Sequence, residues 1–186
     1  YQLAPVRAGS RRFFFFDIGA SLYSSARAGG DGGSSLRWFR NRYQNLTGSP
    51  QPFDHIYAWE AREYRATVLW DSFPAEVVPF VSYYNVPADA RPNARHNPLR
   101  VLTQVARPDD HVVIKLDVDH QATQVALIQQ VLGNRRISAL IDELFWEHLD
   151  LKHLSEPPRP PEIEESGSRC DRRAGVGARG WGSRRG

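Results

Sequence analysis

Between residues 12 and 153 short apolar runs alternate with segments of helical spacing, and this alternation restricts the fold more than any other feature. The runs cover residues 12–17, 53–59, 79–85, 111–117 and 143–147. Each is strand-sized. The fourth, Val112-Val113-Ile114-Lys115-Leu116, is nearly continuous in large apolar residues, which marks a strand buried on both faces. After the first run comes a Gly/Ser loop, then Leu36, Phe39, Tyr43 and Leu46 on one helical face, with Ser34 or Ser35 as N-cap and Gly48 as stop. Further helices are expected over 61–73, ahead of Pro74, and from Asn97-Pro98, with Leu99, Leu102 and Val105 on one face. Another is expected over 122–132, stopped by Gly133. In the fifth run Leu140, Ile141, Leu144 and Phe145 also fit a helical face. Strand and helix in repetition require right-handed crossovers. The expected architecture is a three-layer, Rossmann-like α/β fold: a mostly parallel sheet with helices on both faces.

The pattern divides the chain into a polar lead-in (1–11), an α/β domain (12–153) and a tail (154–186). From Pro157 the tail runs Pro-Pro-Arg-Pro-Pro and ends in an Arg/Gly/Ser run, with little but Val176 and Trp181 to bury, so disorder is expected there. Charge follows the same division. Residues 1–156 carry 17 basic and 17 acidic side chains, and residues 157–186 carry 7 and 4, so the net charge of +3 belongs to the tail. The α/β part has no basic excess to drive binding to nucleic acid. The longest aromatic run, Phe13-Phe14-Phe15-Phe16, is far short of the ~18 residues of a membrane span. The single cysteine, Cys170, lies in the tail, so the domain has no internal disulfide and no thiolate metal site. The chain begins at Tyr1 and contains no Met, so the native start is expected upstream, with room there for a signal peptide or an anchor, and localisation is left open.

Polar groups gather at the carboxyl ends of the runs, where open α/β sheets bind ligands. The first ends in Asp17-Ile18-Gly19-Ala20, the second in Glu60-Ala61, and the third runs to Ala88-Asp89. The fourth ends in Lys115-Leu116-Asp117-Val118-Asp119-His120, the fifth in Glu147-His148. Gly19 permits a tight turn and close backbone approach to a ligand, and Asp17 can hold that turn and meet a cationic ligand group. Glu60 stands where a carboxylate accepts both hydroxyls of a ribose. It follows Gly19 by 41 residues, about twice the usual ~20, which makes the Gly/Ser loop an insertion.

These segments carry a family resemblance. FFFFDIGAS (13–21), IYAWEA (56–61), VVIKLDVDH (112–120) and ELFWEH (143–148) resemble the class I S-adenosylmethionine-dependent methyltransferases, most closely the FkbM-type enzymes. The third is the most specific. That family shows Lys-hydrophobic-Asp-hydrophobic-Glu-Gly at this strand end; Lys115 to Val118 match, while Asp119 and His120 replace the Glu and Gly. The resemblance spans residues 12–150. It implies S-adenosylmethionine as cofactor, with Asp17, Gly19 and Ala20 along its methionine and ribose part and Glu60 on the ribose hydroxyls. Ala88 and Asp89 would lie beside the adenine. Lys115 and Asp117 would sit at the junction with the substrate, and His120 and His148 are the candidate bases, each beside an acid. The implied reaction is methylation of an oxygen on a small-molecule or glycan hydroxyl. Two departures are visible: Tyr23 stands in the first loop where small residues are usual, and the pattern lacks the last two strands of the full class.

Two other readings use the same residues. Asp117-Val118-Asp119 is a D-x-D, with which many glycosyltransferases hold a divalent metal against a nucleotide sugar; a metal is compatible with the site but is not expected. A degenerate methyltransferase-like domain would instead bind or scaffold without turnover.

Overall fold

The five runs form five strands: β1 (Phe13–Ile18), β2 (His55–Trp59), β3 (Val81–Tyr84), β4 (His111–Leu116) and β5 (Glu143–Trp146). The computed structural model describes residues 11–24 and 34–146. The rest of the expected lead-in, the expected tail, and Glu147 and His148 lie outside the described residues. The five strands form one sheet in the order β3-β2-β1-β4-β5, with every pairing parallel. Helices α1 (Ser35–Thr47), α2 (Ala66–Asp71), α3 (Pro98–Val105), α4 (Gln121–Gly133) and α5 (Arg135–Ser138) cover it. The molecule is therefore α/β, with a Rossmann-like parallel sheet. Among the described residues no helix is long and apolar enough to cross a membrane.

Strand alternation divides the phenylalanine run between two cores. Phe15 packs with Leu36, Phe39 and Tyr43 of α1 and with Leu69 of α2. Phe14, Phe16 and Ile18 pack with Leu99 and Leu102 of α3 and with Leu127 and Val131 of α4. Helices thus lie on both faces. The amino end of the sheet is closed by a part-buried ion pair: Arg12 Nε donates to Asp110 Oδ1 at 2.9 Å, and the Arg107 N–H donates to Asp110 Oδ2 at 2.8 Å. Burial pushes the Asp110 carboxyl up, but its bonds to Arg12 and Arg107 outweigh this and hold it below the usual aspartate value.

The helix ends follow local chemistry. Ser34 accepts from the Arg37 N–H, and Gly48 closes α1 at φ 71°, donating to the Gln44 carbonyl. Asn97 accepts from both Leu99 and Arg100 N–H groups, with Pro98 in the first turn. Two helices differ from expectation. The one expected over 61–73 is confined to Ala66–Asp71, because side chains satisfy the preceding backbone outside a helix: Glu60 Oε1 accepts from the Arg62 N–H and Asn85 Oδ1 from the Tyr64 N–H. The helix expected to stop before Gly133 includes it. The break comes at Asn134, whose side chain caps α5, a turn that carries no sequence periodicity. Strand three is also shorter than expected, since Pro79 lies in a 3-10 turn, Val78–Phe80. In the fifth run Leu140 and Ile141 pack against the α3–α4 core while Glu143–Trp146 pairs with β4, so the strand alternative holds there.

Candidate active site

β1 lies between β2 and β4, and the helices that follow β1 and β4 pack on opposite faces. A crevice therefore opens at the carboxyl ends of these central strands, where parallel α/β sheets hold ligands. A cavity of about 640 Å³ occupies this place. Gly19, Ala20, Glu60, Ala88, Lys115 and Asp117 contribute to its wall, and Asp119 and His120 continue it.

The turn after β1 depends on Gly19. Its φ is 91°, and a Cβ built there falls 1.7 Å from the Asp117 carbonyl oxygen. The Gly19 and Ala20 N–H groups both donate to the Trp59 carbonyl, at 3.0 and 2.7 Å, which locks this turn to the end of β2. Asp17 does not line the cavity. Its side chain is fully buried; Oδ2 accepts from the Ser35 hydroxyl at 2.6 Å and Oδ1 lies 3.3 Å from Lys115 Nζ. The nearest cation to Asp17 is Lys115 of the chain itself.

Lys115 stands opposite Asp17 in the β1–β4 register. Its ammonium donates to the Gly19 carbonyl at 2.7 Å and lies 3.2 Å from Asp117 Oδ2. Burial alone would pull its pKa down, but Asp17 and Asp117 together hold it above the usual lysine value. At neutral pH Lys115 is therefore a fixed cation that braces the turn, and it has no lone pair to act as a base.

Glu60 is half-buried at the end of β2, on the cavity wall. Burial pushes its carboxyl above the usual glutamate value; the Arg62 N–H pulls the other way, and the Asp119 and Asp17 charges add to the rise. A raised carboxyl gives its full stabilisation below the ordinary value and loses it as pH rises through the folded one, so ionised Glu60 is a cost to the fold at neutral pH. Such costs concentrate at functional positions. Ala88 lines the same cavity. Asp89 does not: its carboxylate is taken by Arg91, whose Nη2 lies 2.6 Å from Oδ2, with the Arg91 N–H donating to Oδ1.

His120 is the N-cap of α4. Its Nδ1 accepts from the Thr123 N–H at 3.2 Å and lies 2.9 Å from the Thr123 hydroxyl. A backbone N–H can only donate, so the neutral ring carries its proton on Nε2. In this state His120 offers the cavity a donor and not a base; the base role requires release of the cap. Exchange to Ala and to Asn separates the two functions. His120→Ala is expected to lower stability by about 1 kcal/mol through loss of the cap, while His120→Asn, a strong capping residue, leaves it near the wild-type value. Urea titration measures both. If the imidazole also moves a proton, both variants lose turnover alike.

Asp117 and Asp119, the D-x-D pair, both reach the cavity, with Asp117 held against Lys115. Among the described residues no group of three or more His, Cys, Asp or Glu side chains is arranged to hold a metal ion. Tyr23, which breaks the expected small-residue loop, is not on the cavity wall; it is buried beside Phe73, with ring centroids 5.3 Å apart. Two residues of the site carried no sequence signal beyond helix capping. Ser34 and Ser35 line the cavity at the start of α1, and Ser35 also holds Asp17. Their place directly after the first strand's loop is the available clue.

Comparison with protein-family models, with curated proteins and with solved structures found no match to this chain.

Proposed function

We propose that this cavity binds S-adenosylmethionine and that the chain methylates a hydroxyl oxygen of a small molecule or glycan, as the FkbM-type resemblance implies. The observation that carries the reading is the charge of the crevice. Glu60, Asp117 and Asp119 line it, Lys115 is already neutralised by its own carboxylates, and among the described residues no arginine reaches it. Such a set of carboxylate acceptors fits ribose hydroxyls and a sulfonium cation and opposes a polyphosphate. The cofactor, when bound, supplies an electrophilic methyl group.

The chain's own residues do the rest. Glu60 is placed to accept from the ribose hydroxyls, and contact there offsets the cost of holding it ionised. Gly19 brings backbone to the cavity edge, and the Lys115 brace keeps that turn rigid. Positioning of this kind is worth ~7–11 kcal/mol in a displacement that needs alignment above all. His120, once its cap is released, is the group in place to take the acceptor's proton, a contribution of about 10²–10⁴-fold.

A thermal-shift screen of the full chain tests the proposal. S-adenosylmethionine is expected to raise Tm, and a nucleotide sugar with manganese is expected to leave it unchanged. A shift with the nucleotide sugar alone would establish the glycosyltransferase reading instead, and no shift with any ligand would favour a scaffold.

A further inference from the structure

We infer that the groove between α3 and α4 is a docking surface for an acidic peptide segment of a partner protein. It lies outside the cavity assigned above and does not depend on what that cavity binds.

The neutral charge of the domain conceals two poles. Carboxylates gather at the carboxyl edge of the sheet, and arginines gather on the face that holds α3, α4 and α5. Residues 86–107 and 121–138 carry Arg91, Arg95, Arg100, Arg107, Arg135 and Arg136 against the single acid Asp89, six arginines to one carboxylate. That carboxylate is already held by Arg91. A groove of about 750 Å³ is set into this face, and Arg100 and Arg136 line it. Among the described residues no carboxylate lines the groove, and neither arginine is in an ion pair. Arg100 Nη1 donates to the Asn93 carbonyl at 3.0 Å, which steadies the side chain and leaves its other N–H groups for a ligand.

The groove wall is fixed from within. Asn97 is fully buried, and its Nδ2 donates to the Arg91 carbonyl at 3.0 Å and to Gln130 Oε1 at 3.1 Å. Gln130 Nε2 in turn donates to the Ala90 carbonyl. The loop over 90–97 is thereby tied to α4, and a wall that is already ordered costs less to bind.

The chemistry selects the occupant. Guanidinium groups pair with carboxylates or phosphates through a rigid fork of donors. Asn93 and Gln129 are exposed on the groove wall, and a carboxamide offers donor and acceptor side by side, the match for an extended peptide backbone. A single nucleic-acid strand is held by aromatic rings on which its bases stack, and among the described residues no aromatic ring lines the groove. A glutamate-rich peptide fits both the charge and the amides.

NMR amide shifts of the full chain, followed as a glutamate octapeptide or a thymidylate octanucleotide is added, test this. The peptide is expected to shift amides within 90–103 and 126–137 most, and to bind more weakly as sodium chloride rises from about 50 to about 300 mM. Arg100→Glu with Arg136→Glu is expected to weaken that binding about tenfold or more. Both residues are exposed, so the unfolding temperature is expected to stay unchanged. Arg37→Glu with Arg65→Glu makes the same change of charge at the starts of α1 and α2, across the sheet, and is expected to alter binding by no more than about twofold. Equal losses in the two double variants, or peptide shifts centred elsewhere, would overturn the inference by reducing it to net charge. Stronger shifts of the groove amides by the thymidylate would overturn it in favour of a nucleic acid. Groove amides that respond to neither ligand overturn it outright.

Discussion

Replacing Lys115 with methionine is expected to lower the unfolding free energy by about 3–5 kcal/mol at neutral pH, among the largest effects a single change can have in this domain. Lys115 is only 9% exposed and Asp17 is 0% exposed, so neither can turn to water when its partner is lost. The methionine fills the volume but leaves the Asp17 charge with the Ser35 hydroxyl as its remaining hydrogen-bond donor among the described contacts. It also releases the Gly19 carbonyl and Asp117, so the turn and the cavity wall loosen together. The pH dependence has a defined sign. Lys115 is held above the usual lysine value, so its stabilisation is complete below that value and disappears as pH rises through the folded one. Urea unfolding across pH should therefore show the full difference between wild type and variant at neutral pH and a loss of that difference as pH rises through the raised lysine value. Adding Asp17→Asn to the variant should recover a large part of the loss, because it removes the orphaned charge. A Lys115→Met variant within 1 kcal/mol of wild type would show that the buried triad braces nothing.

Gly19→Ala is expected to cost about 3 kcal/mol or more and to abolish ligand binding even at temperatures where the variant is folded. Two penalties combine. The residue holds φ at 91°, which a side chain disfavours, and the new Cβ would lie 1.7 Å from a backbone oxygen of residue 117. Backbone cannot rotate out of the way as a side chain can. β1 and β4 must separate, and they do so at the cavity. Gly48 is the internal control. It too has positive φ, at 71°, but a Cβ there meets nothing within 4 Å. Gly48→Ala should therefore cost only about 1–2 kcal/mol and leave binding intact. Thermal unfolding with and without S-adenosylmethionine distinguishes the two glycines, and equal effects would refute the close-approach argument.

The sheet was legible because its signals are local and redundant. Apolar runs such as Val112 to Leu116 can be satisfied only by burial on both faces, and five of them in alternation with helices leave few topologies. Helix limits were harder where tertiary contacts compete with local propensity. Nothing near Ala61 in the sequence reveals that the side chain of Asn85, from beyond the next strand, accepts from the Tyr64 N–H and feeds Asn85 Nδ2 bonds to the Glu60 and Arg62 carbonyls. The candidate site divides in the same way. Residues placed by strand ends, namely Gly19, Glu60, Lys115 and Asp117, could be found from periodicity and the carboxyl-edge rule. How their charges pair could not. Lys115 and Asp17 are 98 residues apart and meet only through the β1–β4 register, so their pairing into a brace carries no local signal. Asp89 differs because Arg91, two residues on, competes for its carboxylate.

The most direct test of the central claim is the dissociation constant of S-adenosylmethionine for the wild-type chain and for Glu60→Ala, measured by titration calorimetry. Glu60 makes no hydrogen bond to Asp17, Lys115 or Asp117 among the described contacts, it is half-buried, and its ionised form is costly to the fold at neutral pH, so the variant is expected to retain most of its stability. The account predicts saturable one-to-one binding to the wild type and binding about 10–100-fold weaker to the variant, the value of hydrogen bonds to one charged group. Binding of equal strength to both, or no heat with either, would contradict it.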